Sequence, residues 1–185
     1  MKKDLVYLGG DIMTFGSNLA REYEYEEFKK LDLPVDVYSP VMNKEINDKS
    51  SVTVEENNHL AEKICEQDIQ RLWNSDAVVM CPEQHAIGSM CELGTLYGWK
   101  YAWEHLKDLP AEEVKAELER LGNKDIYCHY FDIRTNHLPE IDWRRSFSIN
   151  QMLYGMILYV SKHPDGLQSF ASIMEELKEK YKENE

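Results

Sequence analysis

The segment Asp76-Ala77-Val78-Val79-Met80-Cys81-Pro82, followed by Gly88-Ser89-Met90-Cys91-Glu92-Leu93-Gly94, decides how this chain reads. A short apolar, partly β-branched run closed by a proline is the pattern of a buried strand. The polar loop after it leads into a glycine-bounded helix with one acid, Glu92, expected in its first turn. In an α/β sheet, ligands sit in the crevice between a strand's carboxyl end and the next helix. A carboxylate there can attack an electrophilic carbon or accept a proton. It can equally do no more than complement the helix dipole.

The same alternation extends in both directions. Leu5 to Leu8 predicts a first strand stopped by Gly9-Gly10, and a helix follows from about Ser17, a suitable N-cap, to Leu31. Val35 to Tyr38 predicts a second strand. The polar, aperiodic stretch from Met42 to Glu56 predicts a long functional loop at that strand's carboxyl edge. Helices are expected over 57–73, 89–106, 111–121, 150–161 and 167–182, and a fourth strand over Ile126 to Ile133. Strands alternating with helices imply right-handed parallel crossovers. The expected fold is α/β: an open three-layer α/β/α sandwich, flavodoxin- or Rossmann-like, with a mostly parallel four- to five-stranded sheet and extra C-terminal helices. At 185 residues the chain suits one domain over 1–185, with an acidic tail from about residue 178.

Charge narrows the partners. The formal net charge of −13 opposes nucleic-acid binding, which needs a basic face, and disfavours an anionic membrane surface. The acid runs at 22–27, 112–119 and 175–185 read as solvated helix faces. The start, Met1-Lys2-Lys3-Asp4, runs directly into a strand and resembles no signal peptide, so a cytoplasmic location is expected. Cys65, Cys81, Cys91 and Cys128 form no C-x-x-C pair, so neither a zinc site nor a disulfide framework is expected. Gly9-Gly10 lacks the G-x-G-x-x-G of a dinucleotide turn, and Asp11 would meet a pyrophosphate with the wrong charge.

Tyr7-Leu8-Gly9-Gly10, Asp68, Asp76, Gly88 with Glu92-Leu93-Gly94, and Ile149-Asn150 with Met152 and Gly155 stand in an order that resembles the nucleoside 2-deoxyribosyltransferase family. The resemblance covers Tyr7 to about Gly155. It implies that Glu92 is the nucleophile attacking C1′ of a deoxyribose, and that Asp68 handles the proton on the leaving nucleobase. Tyr7 would orient the nucleophile. Asn150 and Met152 would complete a neighbouring subunit's pocket, which makes the active unit a homo-oligomer, dimer or larger. Gly9, Asp11 and Gly88 join the substrate-binding set. Nucleosides and nucleobases are the implied small-molecule partners, with no cofactor and no metal.

The chemistry is coherent with those residues. Cleaving an N-glycosidic bond passes through an oxocarbenium-like state, so one carboxylate lies under the anomeric carbon while a second group protonates the leaving base. Glu92 must be ionised to attack, helped by a helix N-terminus and the Tyr7 hydroxyl, while Asp68 must hold a proton. Blander readings exist for each residue: Asp68 on a solvated face, Tyr7 as a strand-end aromatic, Asn150 as an N-cap, Asp76 as a loop-holding hydrogen bonder. Two departures from the family pattern stand out. Ala86 occupies a usually polar position, so His85 beside it is expected to line the pocket in its place. Asp11 would repel a 5′-phosphate, which favours nucleosides over nucleotides, although Arg144 and Arg145 suit a phosphate clamp. An N-glycosidase, hydrolysing the same bond, and a non-catalytic nucleoside-binding domain are the alternatives.

Overall fold

The computed structural model describes residues 3–43, 53, 59–83, 85–129 and 149–182. Most of the Met42–Glu56 loop, the expected fourth strand beyond His129, and Arg144 with Arg145 lie outside the described residues. Strand β1 (Asp4–Gly10) runs between β2 (Val35–Tyr38) and β3 (Ala77–Cys81), parallel to both. In register, Tyr7 faces Tyr38 on one side and Val78 on the other. Asp76 fixes the start of β3: its N–H donates to the Leu5 carbonyl, and its carboxylate accepts from the Leu5 N–H, each at 2.8 Å. The chain is therefore mixed α/β, with a three-stranded parallel sheet among the described residues rather than four or five strands. Of the expected fourth strand, residues 126–129 carry only an isolated bridge between His129 and Gln168.

Helix α1 (Phe15–Lys29) links β1 to β2, and α2 (Leu60–Asn74) precedes β3. Helices α3 (Ile87–Leu106), α4 (Ala111–Gly122), α5 (Gln151–Val160) and α6 (Phe170–Lys182) follow. Residues 178–182, within the expected 167–182 helix, belong to α6. No residue of α4 is buried. No helix among the described residues is long and apolar enough to cross a membrane.

Strand alternation assigns the helices to faces. Neighbouring strand side chains point to opposite sides of a sheet. Tyr7 reaches Glu92 on α3, and its register partner Tyr38 reaches Asp68 on α2. A Cβ at Gly10, of the other parity, would run into the Arg21 guanidinium of α1. So α1 covers one face of the sheet, while α2 and α3 lie on the other, with α5 packed on both of them. The closest helix contact is α2 against α5, where a Cβ at Gly155 would overlap the Ala61 carbonyl oxygen and sit 2.5 Å from Cys65 Cβ. Leu60, Ile64, Cys65 and Met152 form one apolar cluster here, and Ala61, Ile149 and Tyr154 another. Burying a leucine, isoleucine or methionine side chain of this kind contributes roughly 1.5–3 kcal/mol.

From β1 the chain turns to one side for β2 and then crosses over for β3. The carboxyl ends of β1 and β3 thus flank the point where direction reverses, where open α/β sheets keep their ligand crevice.

Candidate functional site

Two helices begin elsewhere than the sequence predicts. Helix α1 begins at Phe15, and its N-cap is Thr14 rather than Ser17. Ser17 is the third residue of the helix and completes a capping box: its N–H donates to Thr14 Oγ1, and the Thr14 N–H donates to Ser17 Oγ, both at 3.1 Å. Serine in place of the usual Glu or Gln hid that box from a pattern reading. Helix α3 starts at Ile87, so Glu92 is in the second turn and no acid lies in the first. The unpaired N–H groups of a helix end fall within its first turn, so the helix dipole holds Glu92 less than expected.

Glu92 is instead held by Tyr7. The Tyr7 hydroxyl, on a side chain with no exposed surface, donates to Glu92 Oε1 at 2.6 Å. The Tyr7 ring packs on the Tyr38 ring at 5.5 Å, and the Tyr38 hydroxyl donates to Asp68 Oδ1 at 3.3 Å. A continuous line of contacts, Glu92–Tyr7–Tyr38–Asp68, therefore joins both expected acids on one face of the sheet. The Arg71 guanidinium lies 5.1 Å above the Tyr38 ring, and Asn43 Nδ2 donates to the Tyr38 oxygen at 3.4 Å.

The electrostatics of the pair differ from the expectation in one respect. Burial pushes Asp68 up to about 6, with the Tyr38 hydroxyl pulling it back. Burial also pushes Glu92 up to about 7, opposed by the Tyr7 hydroxyl and reinforced by the charge of Asp68. Both acids are thus shifted towards the protonated form, and the one expected to stay ionised is shifted at least as far. The cause is depth: one phenolic donor does not replace the water that Glu92 loses. The Tyr7 phenol is driven up by burial and by the charge of Glu92, so it stays a hydrogen-bond donor. Cys91 is raised by burial and by Glu92, which holds it as a thiol and leaves it a poor nucleophile.

The remaining expected residues divide into three groups. Met152 is buried in its own chain between α2, α3 and α5, and a Cβ at Gly88 would meet its Cβ at 3.8 Å. Its side chain packs among the helices of its own subunit. Asn150 caps α5, accepting from the Leu153 N–H at 3.2 Å. Gly9 makes room for Met80, whose sulfur would lie 2.7 Å from an added Cβ. Asp11 and His85 do come together, at the carboxyl ends of β1 and β3: His85 Nε2 is 3.5 Å from Asp11 Oδ2. Asp11 is buried, accepts from the Ser17 hydroxyl at 2.6 Å and the Met13 N–H at 3.2 Å, and is held below the usual carboxylate range by those bonds.

A cavity of about 660 Å³ lies beside the acid pair, not on it. Tyr38, Asn43, Gln67, Gln70, Arg71 and Asn74 contribute to its lining, and Asn43 Nδ2 donates to Gln67 Oε1 at 3.3 Å. Tyr38 forms the partition between cavity and acids. Of these, sequence reasoning flagged only the loop containing Asn43. Tyr38 ends the second strand in sequence, and a lone tyrosine at a strand end carries no signal of its own.

No family model, no curated protein and no solved structure matches the chain.

Proposed function

We propose that this protein transfers 2-deoxyribose between nucleobases by retaining double displacement at Glu92. The observation that carries the reading is the 2.6 Å hydrogen bond from the buried Tyr7 hydroxyl to Glu92, with Asp68 reached from the same tyrosine through Tyr38. A buried and a half-buried carboxyl, both with raised pKa values, and a positioned phenol suit an acid–nucleophile pair.

In the first step an ionised Glu92 carboxylate oxygen bonds to C1′ as the C1′–N bond breaks. The bond's electron pair goes to the base, and Asp68 supplies its proton. In the second step an incoming base attacks C1′, the ester to Glu92 breaks, and Asp68 takes the proton back. The pair carries one proton between about pH 6 and 7; the higher value of Glu92 places it mostly there in the free protein, and the reaction draws on the minor arrangement with that proton on Asp68 and Glu92 ionised. The amides of Asn43 and Gln67 beside Asp68 suit the edge of a nucleobase. A homo-oligomer fits the apolar side chains that α3 exposes, Ile87, Met90, Leu93, Tyr97 and Tyr101. A cytoplasmic location belongs to the same proposal.

Quenching the protein with a deoxynucleoside and analysing it by mass spectrometry tests the reading. A deoxyribosyl adduct on Glu92 is expected, and its absence alongside turnover would overturn the nucleophile. Incubating deoxyinosine with and without adenine separates transfer from hydrolysis. Deoxyadenosine is the product expected of transfer, and free deoxyribose at the same rate in both reactions would mark a hydrolase.

A further inference from the structure

At the switch point, Asp11, Glu83 and His85 gather their ligating atoms within 4.8 Å of one another. Asp11 follows β1, whereas Glu83 and His85 follow β3, so the three side chains bridge the crevice from its two walls. His85 Nε2 lies 3.5 Å from Asp11 Oδ2 and 3.8 Å from Glu83 Oε2. The Glu83 side chain is 39% exposed, yet its Oε2 is buried and has no hydrogen-bond donor among the described residues. A buried acceptor without a donor calls for an occupant, such as an ion. Asp11 is already oriented as metal-ligating carboxylates are, by the Ser17 hydroxyl and the Met13 N–H. Arg21 feels the charge of Glu83, yet its guanidinium is bound to Glu24 at 2.6 Å and does not reach Glu83.

We propose that Asp11, Glu83 and His85 bind a divalent cation of borderline character, Mn²⁺ or Zn²⁺, across the carboxyl ends of β1 and β3. Two carboxylates balance the charge of such an ion, and an imidazole nitrogen selects it over Mg²⁺ or Ca²⁺, which prefer oxygen alone. Donors on one tetrahedral zinc ion stand about 3.4 Å apart, so the cluster closes with movements of about 1.5 Å shared among the three side chains. His85 is 64% exposed on its side chain and free to make that movement. The proposal does not rest on the reaction at Glu92, and metal binding alone tests it.

Titration of the intact protein with Mn²⁺, followed by the loss of the free-ion electron paramagnetic signal and by Zn²⁺ competition, tests the site. One Mn²⁺ per chain is expected, displaced by Zn²⁺ and not by equimolar Mg²⁺. His85→Ala and Glu83→Gln should each weaken binding about tenfold or more, with circular dichroism showing that both fold. His59→Ala removes another exposed histidine near a carboxylate, Glu62 at 3.8 Å, and should leave binding unchanged. The proposal fails if the wild type retains neither ion, or if all three variants bind equally. It also fails if His59→Ala weakens binding as much as His85→Ala, since the ion would then be an adventitious surface one.

Discussion

Glu92 and Asp11 are both under one-tenth exposed, both belong to the carboxyl side of the sheet, and they ionise in opposite senses. Glu92 sits deep beneath α3 and is served by the Tyr7 hydroxyl. Asp11 sits in a loop just beneath the surface and is served by a serine hydroxyl and a backbone N–H, with His85 beside it. Low exposure is therefore a poor guide to charge. Depth and the number of donors decide, and the two acids bracket the range that one small sheet can produce. The deep acid suits chemistry that needs a proton moved near neutral pH, whereas the shallow acid suits a permanent negative charge.

The largest effect that tests this contrast is on turnover. Glu92→Gln should lower kcat by about a thousandfold or more while substrate binding persists, because the amide keeps the shape and loses the nucleophile. A steady-state assay with a direct binding measurement decides it, and an active variant would require another nucleophile. The wild-type pH–rate profile should be bell-shaped, with limbs near the values of the pair, about 6 and about 7.

Stability should carry the same signature. The pKa of Glu92 is raised on folding from 4.5 to about 7. Its contribution is fully present below 4.5 and is lost as pH rises through 7, because the folded state binds the proton more tightly. That amounts to a loss of about 3 kcal/mol over the interval. Urea unfolding at pH 5 and pH 8 should show the wild type less stable at the higher pH, and Glu92→Gln should flatten the difference. A wild type more stable at pH 8 would contradict the assigned depth.

How much of this was legible follows the same division between pattern and depth. β1, β2 and β3 were readable because short apolar runs ended by Gly9-Gly10, Ser39-Pro40 and Cys81-Pro82 have no competing helical period. The start of α1 was misplaced because two hydroxyl residues, Thr14 and Ser17, compete for the cap, and only their reciprocal bonds say which one holds it. Tyr7 and Asp68 were within reach through their positions, but Tyr38 between them was not. Its importance arises from parallel register with Tyr7, a long-range fact that no local window contains. Glu83 was missed for a similar reason: its lack of a donor is a property of packing.

Tyr7→Phe probes the deep acid with a smaller change. Removing the 2.6 Å bond should push the Glu92 pKa higher and shift the alkaline limb of the pH–rate profile upward. A hydrogen bond to a charged group is worth about 1.5–3 kcal/mol, so kcat at pH 7 should fall about tenfold to a hundredfold. An unchanged limb would mean that Tyr7 fills space without tuning the carboxyl.

Ser17→Ala probes the shallow acid and should give the smallest effect. It removes a donor to Asp11 at 2.6 Å and one half of the Thr14 capping box. The expected cost is about 1–2 kcal/mol at pH 7, from the lost bonds together. Asp11 is depressed below 3.8 in the folded protein, so its contribution is present above that value and lost as pH falls through the folded pKa. The gap between wild type and variant should therefore narrow below about pH 4, the reverse of the trend at Glu92, where acid favours the fold. A gap that stays constant through pH 3 would assign the whole effect to the helix cap. Asp11 would then be ionised for want of depth alone, and donor number would drop out of the contrast.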